Sequence, residues 1–90
     1  MYRLSRRVSL RHFEADNSYW AFDLQDGSHY ELNEPAFLIL SSLTDGADLV
    51  ALGAKLASQY GIDSDVAVRD VEATLTDLES LGLLEAKGAP

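Results

Sequence analysis

Residues 20–35 read WAFDLQDGSHYELNEP, and this stretch decides the fold. Trp20, Phe22 and Leu24 recur with period two, as do Tyr30 and Leu32, so each set marks one face of a short strand. Asp26-Gly27-Ser28 between them is turn chemistry, and the two runs therefore form an antiparallel hairpin. Asn33 then offers an N-cap and Pro35 suits a first helical turn, so a helix starts directly where the hairpin stops. The apolar sets of the two strands are expected to share a buried face. That places Leu24 opposite Tyr30 and Phe22 opposite Leu32, across a three-residue loop with a glycine bulge.

Upstream, Val8 and Leu10 mark a further strand, and residues 14–18 (EADNS) supply its turn. The three strands form a meander with the second in the middle and the third as an edge. Downstream, Phe37, Leu38, Leu40 and Leu43 give the first helix a buried stripe before Asp45-Gly46 stops it. Asp48 caps a second helix carrying Leu49, Leu52, Leu56 and Tyr60, which Gly61 ends. Asp63 or Ser64 opens a third, in which Val68, Val71, Leu75, Leu78 and Gly82 fall on one narrow face. Leu83 and Leu84 are expected to fold back as an apolar plug, and residues 86–90 to fray. The result is a single α+β domain of winged-helix character: a three-stranded antiparallel sheet followed by three helices, with a core over about residues 8–85 of 1–90.

Composition bounds the function. The chain has 90 residues, 47% apolar, and no cysteine, so packing alone holds it together. Seven Lys and Arg against fifteen Asp and Glu give −8. Arg3, Arg6, Arg7 and Arg11 lie in an N-terminal segment without acids, which leaves the body strongly acidic. Such a body repels phosphates, and nucleic acid is a poor partner. The basic start lacks the apolar run of a signal peptide, and no window approaches the ~20 apolar residues of a membrane span. The chain reads as cytoplasmic, and the N-terminal arginines as a disordered solubilising tail.

No catalytic constellation can be assembled. His12 and His29 fall on strands without a nucleophile or carboxylate at a recognised spacing, and read as surface or edge residues. Asp63, Ser64, Asp65 and Asp70 lack the glycine and closing glutamate of a calcium loop, so helix capping explains them better. No phosphate loop, metal site or cofactor is implied. Trp20 and Phe22 read as core.

The order of elements carries a resemblance. Tyr30-Glu31-Leu32-Asn33 and a helix are followed by Thr44-Asp45-Gly46 and a second helix ending in Gln59-Tyr60-Gly61-Ile62-Asp63. Arg69-Asp70-Val71, Leu75, Leu78 and Gly82-Leu83-Leu84 complete the sequence. The chain resembles the PqqD-like family over roughly residues 8–85. It departs from the family at Pro35-Ala36, where a Thr-Gly pair is common, and at Ile39-Leu40, where members carry a Trp. The resemblance implies a recognition element for ribosomally synthesised, post-translationally modified peptides, which binds the leader segment of a precursor. It also implies a modifying enzyme as second partner, such as a radical SAM enzyme, leader peptidase or cyclase. Members serve lasso-peptide, pyrroloquinoline quinone and other pathways.

An exposed strand edge suits that role, because an extended peptide can add to it as a further strand. The resemblance places the groove between the third strand (His29, Tyr30, Glu31, Leu32) and the N-terminal half of the third helix. Tyr30 and Leu32 are its expected floor, Val68, Val71, Glu72 and Leu75 its wall, and Arg69 and Thr76 its rim. Two other classes remain open: a winged-helix regulatory module, disfavoured by six acids between Asp63 and Glu79 against Arg69 alone, and a subunit that self-associates through its sheet edge.

Overall fold

A computed structural model describes residues 1–44 and 46–86. Asp45 and residues 87–90 lie outside the described residues, and with them the expected stop at Asp45 and most of the expected frayed tail. The elements run β1 (Tyr2–Leu4), β2 (Val8–Phe13), β3 (Ser18–Asp23), β4 (His29–Leu32), α1 (Glu34–Ser42), α2 (Leu49–Tyr60), α3 (Ser64–Ser80) and β5 (Leu84–Ala86). The main sheet is antiparallel with order β2-β3-β4, so β4 is an edge as expected.

Local chemistry sets the helix starts. The side chains of Asn33, Asp48 and Asp63 accept hydrogen bonds from the amides of Ala36, Ala51 and Asp65, which satisfies amides that have no intrahelical partner. The helices bury Ile39, Leu40, Leu52, Leu56, Ala67, Val71, Leu75 and Leu78 in one core with Val8, Ala21, Leu32 and Leu83. Within α1, Ala36 and Ile39 are buried while Phe37 and Leu38 are only half-buried, so the stripe is rotated from the expected one. Tyr60 lies at the exposed end of α2, and Val68 is half-buried.

The hairpin differs from the sequence reading in face and register. Ala21 pairs with Tyr30 and Tyr19 with Leu32, so Tyr19, Ala21 and Asp23 share the core face with Tyr30 and Leu32. Trp20 and Phe22 lie on the opposite face, and Leu24 is 72% exposed. The physical reason is Asp23. This buried carboxylate pairs through Oδ2 with Arg7 Nε at 2.8 Å, and its Oδ1 accepts from the amides of Gln25 at 2.9 Å and Asp26 at 3.3 Å. Both oxygens are satisfied, so an acid can end the strand pointing inward. The loop that follows has four residues, 24–27: the Asp23 amide donates to Ser28 O, and Gly27 occupies φ 79°, a left-handed conformation that glycine adopts without strain.

The N-terminus is not a free tail. Tyr2, Arg3 and Leu4 pair with Ala86, Glu85 and Leu84, and the Leu4 and Ser5 amides donate to Leu43 O and Leu83 O. Leu83 and Leu84 are buried as expected, but Leu84 opens a strand rather than a plug.

Helices α2 and α3 pack close together at Gly53, where an added Cβ would meet Val68 Cγ2 at 2.5 Å and its Cα at 3.3 Å. Gly53→Ala is therefore expected to lower unfolding stability by ~1–3 kcal/mol in urea despite alanine's better helix propensity; an unchanged midpoint would mean that α3 yields at Val68.

Candidate functional site

The ladder determines what β4 can offer. Asp23 donates to Ser28 O, and in an antiparallel pair the hydrogen-bonded positions alternate. Tyr30 and Leu32 therefore bond inward to β3, and the backbone amides and carbonyls of His29 and Glu31 face outward along the edge. The side chains alternate the other way, across the sheet. Tyr30 is half-buried and Leu32 buried on the core face, while His29 and Glu31 are exposed on the outer face.

On α3, Val71 and Leu75 are 0% and 2% exposed and belong to the core, so neither offers an open surface. Val68 is half-buried. Arg69, Glu72 and Thr76 are exposed, and Thr76 Oγ1 donates back to Glu72 O at 3.1 Å. The accessible part of the expected site thus consists of the β4 edge, the partly covered Tyr30 and Val68, and a polar rim at Arg69, Glu72 and Thr76.

Sequence reasoning missed two features. Trp20, Phe22 and His29 form an aromatic row on the outer face of the sheet, with centroid separations of 5.8–6.3 Å. Trp20 Nε1 donates to Ser18 Oγ at 3.0 Å, which explains how the indole is satisfied outside the core. The second feature is Glu34 in the first turn of α1. Its Oε1 accepts from the Tyr60 hydroxyl at 2.8 Å and its Oε2 from the Tyr19 hydroxyl at 3.1 Å. Tyr19 stacks on His12 at 4.3 Å and tilts against Phe37 at 4.9 Å. The partners of Glu34 are 15 and 26 residues away, so no local spacing announces them.

Among the described residues no group of three or more His, Asp or Glu is placed to hold a metal ion, and no helix is long and apolar enough to cross a membrane. The exposed side chains of α3 include Asp65, Asp70, Glu72, Asp77 and Glu79, a surface unsuited to a phosphate backbone.

The family of Coenzyme PQQ synthesis protein D (PqqD) matches residues 19–84. Among solved structures, a lasso peptide synthetase B1 complexed with the leader peptide is 27% identical, with TM-score 0.78 over 94% of this chain and 98% of that one. The PqqD truncation of Methylobacterium extorquens PqqCD, a functional and stand-alone recognition element for ribosomally synthesised and post-translationally modified peptides, is 26% identical. Its TM-score is 0.77 over 94% of this chain and 88% of that one. TbiB1 in complex with the TbiA(beta) leader peptide, 23% identical with TM-score 0.80 over 97% and 99% of the two chains, shares the fold. No curated protein matches this sequence.

Burial is the largest influence on the Tyr60 hydroxyl, followed by its hydrogen bond to Glu34 and the charge there; together they push its pKa up to about 12 from the ordinary 10.0. The folded protein thus holds this proton more tightly than the unfolded chain. The associated stability is complete below about pH 10 and is lost as pH rises toward 12. In an alkaline titration followed at 295 nm, Tyr60 should ionise late, and Glu34→Gln should bring it earlier without reaching the free phenol value. A titration unaltered by Glu34→Gln would show that Glu34 does not hold the phenol in solution.

Proposed function

The chain belongs to the PqqD family, and from that premise we propose that it binds the leader segment of a ribosomal precursor peptide by adding it as a strand to the β4 edge. The family is generally non-catalytic and peptide-binding. The observation that supports the reading is the row of outward amides and carbonyls at His29 and Glu31 along the open edge of the sheet. Main-chain hydrogen bonds to that row would supply affinity that is largely independent of side chains, and the alternate side chains of the leader would supply specificity.

In this reading Tyr30 and Val68 offer the accessible apolar surface, Leu32, Val71 and Leu75 fix its shape from within the core, and Arg69, Glu72 and Thr76 choose the flanking polar residues. Glu72 on an acidic helix favours a leader carrying Lys or Arg beside its apolar anchors. The whole chain acts as one domain that presents the leader to a modifying enzyme of a lasso-peptide or PQQ-like pathway, a radical SAM enzyme, leader peptidase or cyclase.

The test is a titration of isotope-labelled protein with the leader of a small precursor peptide encoded beside its gene. Amide shifts should concentrate at His29–Leu32 and residues 68–75, with a Kd near or below ~1 μM, about −8 kcal/mol. Glu31→Pro removes one outward amide from an edge strand, where proline is tolerated, and should weaken binding at least about tenfold while Glu31→Ala has little effect. Glu72→Lys should weaken binding at low salt and less so at high salt. Equal affinity for Glu31→Pro and Glu31→Ala would exclude strand addition at this edge.

A further inference from the structure

The leader-binding reading leaves unused a cavity among the described residues. It lies between the start of β3, α1 and the end of α2, holds about 200 Å³, and shares no residue with the β4 and α3 positions considered above. Pockets that enclose small organic ligands run to roughly 300–1,000 Å³. This one has room for about one long side chain.

It is lined by the acidic Glu34, the aromatic Tyr19, Phe37 and Tyr60, the polar Ser41 and Gln59, and Leu38. A carboxylate offers roughly four acceptor positions. The two phenols occupy one on each oxygen, at 2.8 and 3.1 Å, which leaves acceptor capacity on both oxygens. Glu34 is exposed, and among the described residues no Lys, Arg or His pairs with it. Ser41 Oγ already donates its proton to Leu38 O at 3.1 Å and so meets a ligand as an acceptor. Both phenol protons are engaged on Glu34; His12 covers one face of Tyr19, and aromatic ring faces are electron-rich. The surface is therefore complementary to a cation. A guanidinium fits it better than an ammonium, because its planar fork bonds both oxygens of one carboxylate and stacks on aromatic faces.

We propose that this cavity seats an arginine side chain presented by a polypeptide partner, with Glu34 as its bidentate acceptor and Tyr19, Phe37 and Tyr60 as its aromatic walls. The charge of the whole chain, −8, draws a basic partner toward it. The site makes the α1–α2 side of the molecule a contact surface separate from the β4 edge, and its occupancy does not depend on whether a leader binds there.

The full chain, carbon-13 labelled in its aromatic side chains, would be titrated with N-acetyl-L-arginine N-methylamide. Saturable shifts are expected in the rings of Tyr19, Phe37 and Tyr60. The neutral citrulline analogue should produce none, and the lysine analogue should bind several-fold more weakly. Glu34→Gln should weaken arginine binding about fivefold, the scale of one partly exposed ion pair. Because that change also alters the phenol contacts, Ser41→Leu provides a second variant: it fills the cavity, should abolish the shifts, and should keep the Tyr60 pKa raised, since the Glu34 contact stays and burial increases. Absence of a saturable ring shift, equal shifts with citrulline, lysine binding as tightly as arginine, or undiminished binding by Ser41→Leu would each overturn the proposal.

Discussion

The inward face of β3 is the constraint from which the remaining geometry follows. Ala21, fully buried at the middle of the sheet, is small enough for the helical layer to sit close, while Tyr19 at one end packs against Phe37 and Asp23 at the other is held by Arg7. This face puts Tyr30 and Leu32 into the core through their pairing with Ala21 and Tyr19, and so fixes which backbone groups of β4 point outward. A register shift by one residue would reverse both the buried side chains and the exposed edge groups. The Arg7–Asp23 pair also ties the segment before β2 to the loop after β3, where the Leu24 amide donates to Arg7 O at 2.8 Å.

Much of this was legible locally. The helix starts at Asn33, Asp48 and Asp63 could be read because a cap and the amide it satisfies lie within three residues of each other. The order of strands and helices, and β4 as an edge, followed from periodicity and turn chemistry. The face of β3 did not. Its alternation favours Trp20 and Phe22 as core, and the opposite choice rests on Arg7, sixteen positions before Asp23, together with the Gln25 and Asp26 amides. Likewise Tyr2, Arg3 and Leu4 are stabilised as a strand by residues at the far end of the chain, which no local window contains. The candidate site was read from the sequence as a pair of elements. Which of its residues remain accessible was decided by packing: Val71 and Leu75 have the right spacing for a groove wall, and that same spacing carries them into the core.

The arrangement separates two tasks. Under the strand-addition proposal, apolar side chains of β4 and α3 build the support, while the edge backbone and the polar rim stay available to a ligand. A small domain gains from this division, because a preformed edge requires little ordering when a peptide adds to it, so more of the contact energy appears as affinity. In such binding the peptide would bear most of the entropic cost of ordering, as disordered segments do when they fold on a template.

Amide hydrogen exchange with and without the leader peptide tests the central claim most directly, because it reads individual backbone groups. If the leader adds as a strand, the amides of His29 and Glu31 should exchange at least about tenfold more slowly in the complex, while those of Tyr30 and Leu32, already bonded to β3, change much less. Protection spread evenly over β4, or confined to Trp20 and Phe22 or to the Glu34 cavity, would contradict strand addition at this edge.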